Sequence, residues 1–198
     1  MSIKVIFLHI HREFAQQAIY DNAFEWSFEF PEVLSDSGEF LGFDVVVGNP
    51  PYISNKDIAI SSKKIYESTY ETAYNQYDLY SIFIEKSIQL LKNNGVNSFI
   101  VPDSFLARSS FKSIRKHTKS NSYLYKVIHL DNVFTEASVS SCIYFLIKNQ
   151  AHQEIEYLKS PPNKSWQDNV FIKKTTNYLT DELINSYRIL FIDRKSVV

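Results

Sequence analysis

Residues 43–53 read Phe-Asp-Val-Val-Val-Gly-Asn-Pro-Pro-Tyr-Ile, and they decide how the fold of the whole chain is predicted. Phe43 to Val47 is a short apolar run rich in β-branched residues, which predicts a strand buried on both faces, as in a parallel sheet. The two prolines that follow donate no backbone hydrogen bond, so the strand ends close to Gly48. Asn49 is therefore expected just beyond the carboxyl end of a central strand, where open α/β sheets bind their ligands.

The composition limits the classes of protein to which the chain can belong. It has 198 residues, of which 44% are hydrophobic, and a net charge of −1, an ordinary globular composition with enough chain for one sizeable core. Any site for a polyanion must then be a local basic patch. Cys142 is the one cysteine, which excludes an internal disulfide framework and indicates a reducing, cytoplasmic location. No apolar stretch is long enough to span a membrane, and the five histidines form no ligand cluster, so no metal site is predicted.

The clearest helix predicted downstream runs from Tyr77 to Lys92, with one apolar stripe and one polar stripe. The apolar stripe comprises Tyr80, Phe83, Ile84, Ile88 and Leu91, and the opposite, polar stripe comprises Glu85, Gln89 and Lys92. Val96 to Val101 then reads as another buried strand, which Pro102 breaks. Asp103 follows at the carboxyl end of this strand, where it either lines a site or, more commonly for such a residue, caps the next helix.

Shorter patterns complete the predicted secondary structure. Ala23 to Phe30 alternates apolar and polar residues, which indicates a strand. Residues 54–75 are polar and carry three tyrosines spaced four apart, so this stretch is either a loop or a surface helix with the three rings on one face. The tyrosines are Tyr66, Tyr70 and Tyr74. Further strands are predicted at Lys126–Leu130, Ser140–Ile147 and Glu154–Leu158, and helices at Phe111–Ser120 and Asp181–Arg188. The first residues are ambiguous, with Ile3–Leu8 as a candidate strand.

Asn49-Pro50-Pro51-Tyr52 resembles motif IV of the amino-methyltransferases, which reads (Asn/Asp)-Pro-Pro-(Tyr/Phe/Trp). Segments on both sides resemble the same enzymes: Phe-Glu-Trp at 24–26 and Glu-Phe-Pro-Glu-Val at 29–33 precede the motif. Tyr-Asp-Leu-Tyr at 77–80 and Phe-Ile-Val-Pro-Asp-Ser-Phe-Leu at 99–106 match motifs V and VI. Over residues 23–149 the sequence is thus similar to the DNA adenine-N6 methyltransferases of type I and fused type II (type IIG) restriction–modification enzymes.

The resemblance implies a role for each residue of the motif. The lone pair of adenine N6 is delocalised into the ring, and the Asn49 side-chain oxygen and the Pro50 carbonyl would accept hydrogen bonds from this amino group. Pro51 belongs to the same stiff segment, and the Tyr52 ring would stack on a base flipped out of DNA. Phe134 matches the aromatic position of motif VIII, which packs against the flipped base; the other interpretation is a buried phenylalanine of a hairpin.

The resemblance also implies DNA as the substrate and S-adenosylmethionine as the methyl donor. The predicted helix at 111–120 is basic, and in such an enzyme its charged side chains would contact DNA phosphates; otherwise they form a solvated face. These side chains are Lys112, Arg115, Lys116 and Lys119.

The glycines of the chain do not form the turn that normally binds the cofactor. Gly38, Gly42, Gly48 and Gly95 include no G-x-G pair between a first strand and a first helix. We therefore expect an incomplete Rossmann-like class I methyltransferase sheet of the α/β class, mostly parallel, with a C-terminal antiparallel hairpin and without the N-terminal cofactor-binding strands. Residues 1–22 stay unassigned, 23–149 form the catalytic half, and 150–198 form a C-terminal extension that begins a truncated target-recognition region.

A chain of this kind is expected to be inactive alone and to need a complementary N-terminal methyltransferase half or a specificity subunit. The strand at Val45–Val47 should then have an unpaired edge. Two other functions stay open from the sequence: a methyltransferase acting on ribosomal RNA or a protein glutamine, and a non-catalytic remnant that binds DNA or a partner.

Overall fold

The computed structural model of the chain describes residues 5–9, 30–131, 140–150, 154–159 and 172–177. They build a seven-stranded sheet in the order β1-β2-β3-β5-β4-β6-β7. The strands are β1 Val5–His9, β2 Phe43–Asn49, β3 Leu91–Pro102, β4 Ser122–Asp131, β5 Ser141–Lys148, β6 Glu154–Lys159 and β7 Ile172–Asn177. Phe134, predicted to contact the flipped base, and the helix predicted at Asp181–Arg188 lie outside the described residues. The strand predicted at Ala23–Phe30 also lies outside them, except for Phe30.

The sheet combines a parallel part with an antiparallel part. β1, β2 and β3 are mutually parallel, whereas β5 runs antiparallel to both β3 and β4. β6 is parallel to β4 and β7 is antiparallel to β6, so the sheet continues past residue 150. The predicted α/β class and the antiparallel pair formed by the strands at Lys126–Leu130 and Ser140–Ile147 are confirmed.

The prediction of an unpaired edge at Val45–Val47 is wrong. β1 pairs with β2 along its whole length, with Val5 opposite Val45 and His9 opposite Asn49, and β3 pairs with the other edge. The short apolar segment at the start of the chain therefore occupies the position expected to be vacant. Burial of β2 is also less complete than predicted, because Phe43 and Val46 are buried while Val45 and Val47 are only half-buried.

The described residues contain four α-helices: α1 Ile60–Thr69, α2 Leu79–Leu90, α3 Ser104–Ala107 and α4 Lys112–Asn121. Short 3-10 turns lie at Pro31–Val33, Asn55–Asp57 and Ser109–Phe111. α2 falls within the predicted helix at 77–92 and packs against β2, β3 and α4. α1 buries none of its residues and is the surface helix of the two predicted alternatives. Tyr74 lies beyond its end, so the three tyrosines do not share one helical face.

Glu85, which the sequence places on the polar stripe of this helix, is buried. Its side chain is 2% exposed, and the two carboxylate oxygens accept hydrogen bonds from the backbone N–H groups of Glu71 (3.2 Å) and Thr72 (2.9 Å). The turn after α1 folds over this face of α2, and its own N–H groups provide the partners that a buried carboxylate needs.

The core is rich in aromatic side chains between the sheet and α2. Phe43, Tyr80, Phe99 and Tyr144 are at most 1% exposed and belong to one cluster with the aliphatic residues of both layers. Phe99 and Tyr144 meet edge to face, with ring centroids 6.1 Å apart. Cys142 is fully buried in this cluster, and burial raises the pKa of its thiol, so the thiol stays protonated at neutral pH.

Two glycines permit close packing at the amino ends of β2 and β3. A Cβ atom on Gly42 would lie 2.8 Å from the Leu90 carbonyl oxygen and 2.8 Å from the Lys92 nitrogen, and Gly42 itself has a positive φ of 88°. A Cβ on Gly95 would lie 2.9 Å from the Phe43 carbonyl oxygen. Both positions therefore require glycine, for space and, at Gly42, also for backbone conformation.

Candidate functional site

The Asn49-Pro50-Pro51-Tyr52 motif lies at the carboxyl edge of the parallel part of the sheet. β2 ends at Asn49, β1 ends opposite it at His9, and β3 runs on to Pro102. Asn49 and Tyr52 are half-buried, and Pro50 is buried. The motif therefore lies at the predicted position, the edge at which open α/β sheets bind their ligands.

Tyr52 is fixed by its hydroxyl and by its ring edge. Its Oη donates a hydrogen bond to the Ile100 carbonyl oxygen of β3 at 2.9 Å. Its ring meets Tyr80 edge to face, with centroids 6.3 Å apart and an interplanar angle of 81°. Burial raises the pKa of Tyr52 above its ordinary value, so the phenol stays protonated at neutral pH. The hydroxyl is thus engaged in the fold, and the two contacts together fix the orientation of the ring.

The chain after the motif is tied to the start of α2. The Leu79 N–H donates to the Ile53 carbonyl oxygen at 2.7 Å, and the Asn55 N–H donates to the Tyr77 carbonyl oxygen at 2.9 Å. A β-bridge joins Ser54 to Asp78. These bonds hold the exit of the motif against a buried helix, so the position of the motif is set on both sides.

A cluster at the ends of β3, β4 and β5 was missed by the sequence reasoning. The His129 Nε2 lies 3.0 Å from the Asp103 Oδ2 and 3.1 Å from the Ser140 Oγ, and the Asp103 N–H donates to the Ser140 carbonyl oxygen. Asp103 stands at the N-cap position of α3, but its side chain makes no capping bond and contacts His129 instead, so side-chain capping is not the alternative observed. The carboxylate and the hydroxyl contact the same ring nitrogen, unlike the relay of a serine hydrolase, where they contact opposite nitrogens. The cluster ties three strand ends together beside the motif.

The predicted basic helix is confirmed as α4. Arg115, one of the four side chains predicted to contact phosphates, lies inside the protein instead. Arg115 is only 6% exposed, and its Nη1 donates to the carbonyl oxygens of Phe105 (2.9 Å) and Arg108 (2.8 Å). Burial lowers the pKa of its guanidinium, and these backbone acceptors occupy it inside the protein. Lys116 is exposed, whereas Lys112 and Lys119 are half-buried. A charge run in sequence does not reveal which of its members points inward.

The residues available for a cofactor do not match a dinucleotide-type site. Residues 10–29, which follow β1, contain no glycine, and Gly42 and Gly95 are used for strand packing at the opposite edge of the sheet. Across the described ranges, no three His, Cys, Asp or Glu residues are grouped closely enough to hold a metal ion. Of the helices described, none is both long and apolar enough to cross a membrane.

Relatives of known sequence are restriction–modification proteins much longer than this chain. It is 36% identical over 129 residues to the type II restriction enzyme and methyltransferase RM.Eco57I of Escherichia coli, over 63% of this chain and 13% of that protein. It is 38% identical over 95 residues to the type II methyltransferase M.BstVI of Geobacillus stearothermophilus, over 48% of this chain and 16% of that protein. The chain thus spans less than a fifth of either relative.

A solved structure resembles this chain in fold, and the sequence model of one family matches more than half of the chain. The type IIG restriction endonuclease BpuSI superposes on 74% of this chain and 20% of its own with a TM-score of 0.56, and its 18% identity makes this a likeness of fold. The sequence model of the Eco57I restriction-modification methylases matches residues 4–134, which include β1, the Asn-Pro-Pro-Tyr motif, α2 and α4. The chain belongs to the Eco57I restriction-modification methylase family.

Proposed function

We propose that the chain carries the catalytic motif of a DNA methyltransferase that transfers a methyl group from S-adenosylmethionine to N6 of adenine. The observation that supports this most directly is the placement of Asn49-Pro50-Pro51-Tyr52 at the carboxyl edge of parallel strands, with Tyr52 anchored to β3. Membership of a restriction–modification methylase family supports DNA as the substrate. The location proposed with this function is the cytoplasm, where the single buried cysteine stays reduced.

The chemistry requires that the amino group of adenine become nucleophilic. Its lone pair is shared with the ring, and two acceptors directed at its hydrogens favour a more tetrahedral nitrogen. The Asn49 side-chain oxygen and the Pro50 carbonyl oxygen supply these acceptors, and the strand end fixes them before the base arrives. A preorganised acceptor pair stabilises the charge that develops on N6 without the cost of reorienting groups during the reaction.

The target base must leave the DNA stack to reach this edge of the sheet. Tyr52 offers a ring face for it, because the hydroxyl bond to Ile100 and the edge contact with Tyr80 fix the ring orientation. Phe134, which lies outside the described residues, supplies the second aromatic contact in this proposal. Pro51 keeps the segment between Asn49 and Tyr52 extended.

The methyl donor requires residues that this chain does not provide in the usual form. The glycine-rich turn is absent after β1, so no residue here is assigned to the cofactor. A complementary methyltransferase half that carries this turn, or a specificity subunit, would complete the site. For the chain on its own we propose no methyl transfer.

A radiolabelled methyl-transfer assay tests the function. The chain is mixed with a methyltransferase fragment that carries the glycine-rich turn, and label from S-adenosylmethionine is measured in DNA, ribosomal RNA and a translation release factor. Label in the N6-methyladenine of DNA, absent with Asn49→Ala, supports the proposal. Label in RNA or in a protein glutamine instead would replace DNA as the substrate class. If no acceptor is labelled while DNA is still bound, the chain is a binding remnant.

A further inference from the structure

A polar cleft of about 830 Å³ opens between the turn after α1 and the start of α4. One wall is the turn at residues 74–76, and the other wall contains three serines and two lysines from residues 109–116. Among the described residues that line it, none carries a carboxylate. Hydroxyl and amide groups together with two ammonium groups suit an anionic ligand that presents many oxygen acceptors, as the phosphodiester backbone does.

The turn that forms the first wall is held by hydrogen bonds from three directions. Glu85 accepts from the N–H groups of Glu71 and Thr72, and the Ser113 Oγ donates to the Glu71 carbonyl oxygen at 2.9 Å. The Asn55 Nδ2 donates to the Asn75 carbonyl oxygen at 2.6 Å. The walls are therefore linked to each other and to the core, so a ligand would meet a preorganised cleft and lose little affinity to ordering it.

Tyr74 projects from this rigid turn with 66% of its surface exposed. A large aromatic side chain exposed at the rim of a cleft that contains Lys112 and Lys116 is typical of surfaces that track a nucleic acid strand. The lysines attract phosphates, and the ring packs against a base or a sugar with little dependence on sequence.

The cleft lies at the same edge of the sheet as the Asn-Pro-Pro-Tyr motif. The turn that contains residues 74–76 is bounded by the Ser54–Asp78 bridge, two residues after Tyr52. α4 begins after β3 has reached this edge, and it then leads down to the start of β4 at the other edge. A DNA strand whose target base reaches Asn49 would therefore pass close to this cleft.

From these observations we infer that the cleft between residues 74–76 and 109–116 binds the sugar–phosphate backbone of the DNA strand next to the flipped nucleotide. Lys116 contacts a phosphate, and the Tyr74 ring packs on an adjoining base or deoxyribose. This inference rests on the proposed function, because it names the part of the DNA that the same face of the protein holds. In this inference, a cleft with two walls takes the place of the four phosphate contacts that were predicted on the basic helix alone.

The test measures DNA binding by fluorescence anisotropy with the 198-residue chain and needs no cofactor. The probe is a labelled duplex that contains one mismatched adenine, since a mismatched base is easier to extrude. Affinity is measured across a series of salt concentrations for Lys116→Ala and for Lys86→Ala, a control that removes the same charge from α2 outside the cleft. Tyr74→Leu is compared with Tyr74→Phe, which keeps the ring.

We expect Lys116→Ala to reduce the log–log salt slope by about 0.9, whereas Lys86→Ala leaves it unchanged. Tyr74→Leu should weaken binding by roughly fivefold or more, and Tyr74→Phe should bind like the unmodified chain. Lys116 and Tyr74 are exposed, so thermal unfolding should be the same for all variants, which verifies that a loss of binding is not a loss of fold.

Three results would overturn the inference. If the chain binds the duplex and neither Lys116→Ala nor Tyr74→Leu differs from its control, the cleft is not the site, and the proposed function is untouched. If the chain binds no DNA at low salt, the cleft holds no DNA strand. If it binds RNA of the same sequence more tightly than DNA, the assignment to DNA is wrong, and the proposed substrate is called into question with it.

Discussion

Replacing Tyr52 by phenylalanine removes one hydroxyl and leaves the ring, whereas replacing it by leucine removes both. The two variants therefore separate the anchoring of the side chain from its proposed contact with the flipped base. The hydroxyl donates a hydrogen bond to the Ile100 carbonyl oxygen at 2.9 Å, and the ring contacts Tyr80.

The phenylalanine variant should lose about 0.5–1.5 kcal/mol of unfolding free energy, the net value of one hydrogen bond. For a chain of this size this corresponds to a fall in Tm of roughly 1–6 °C. The leucine variant also loses the aromatic contact, about 0.5–1.5 kcal/mol more. Thermal unfolding followed by circular dichroism measures both losses.

The two variants should differ more in their affinity for an extruded base than in their stability. A stacked aromatic residue contributes about 1–3 kcal/mol per base, so Tyr52→Leu should weaken binding of an extruded base by roughly 5- to 150-fold. Tyr52→Phe should bind nearly as well as the unmodified protein. A duplex with 2-aminopurine at a mismatched position reports extrusion by its fluorescence. Equal losses in the two variants would show that the hydroxyl, not the ring, serves the base, and no loss in either would remove Tyr52 from the pocket.

Three further expectations follow from the same structure. Asn49→Ala in the reconstituted enzyme should lower transition-state stabilisation by about 2.7–4 kcal/mol with little change in DNA binding, and turnover like that of the unmodified enzyme would refute the acceptor role. Burial raises the pKa of Tyr80 and Tyr144, so these phenols ionise in the unfolded chain at about pH 10 while the folded chain keeps them neutral. Their contribution to stability is complete below about pH 10 and is lost above it, by about 1.4 kcal/mol per pH unit for each group; a denaturation midpoint that is constant from pH 9 to 11 would contradict this. Calorimetric titration of the chain with S-adenosylmethionine should give no heat of binding, because the glycine turn is missing, and micromolar affinity would show that other residues replace it.

The parts of the fold that the sequence predicts are those fixed by local composition. β2 and the β4–β5 pair are runs of apolar and β-branched residues bounded by prolines or polar loops, and such runs have few alternatives to a strand. The end of β2 at Asn49 follows from the two prolines alone. The position of the candidate site is therefore readable from eleven consecutive residues, 43–53.

Apart from the unpaired edge predicted at Val45–Val47, the differences between prediction and structure concern polar side chains whose partners come from distant segments. Glu85 and Arg115 are charged residues on helices, and sequence periodicity assigns such residues to solvent. Each is buried because another segment delivers backbone partners to it: N–H groups of the turn at 71–72 for Glu85, and carbonyl oxygens of residues 105 and 108 for Arg115. The contact between Asp103 and His129 depends on the register of three strands, which no local pattern encodes.

The glycine contacts at the amino ends of β2 and β3 have a consequence for the opposite edge of the sheet. Gly42 lies seven residues before Asn49, or roughly 20 Å along an extended strand. A side chain at Gly42 or Gly95 would have to force backbone atoms apart from 2.8–2.9 Å, and a strand that is rigid in its own direction passes such a shift to its other end. The position of Asn49, the proposed acceptor, is thus set partly at a distance, by two glycines at the other end of the strands. The geometry of the edge that carries the Asn-Pro-Pro-Tyr motif therefore depends on how closely two backbones approach at the opposite edge of the sheet.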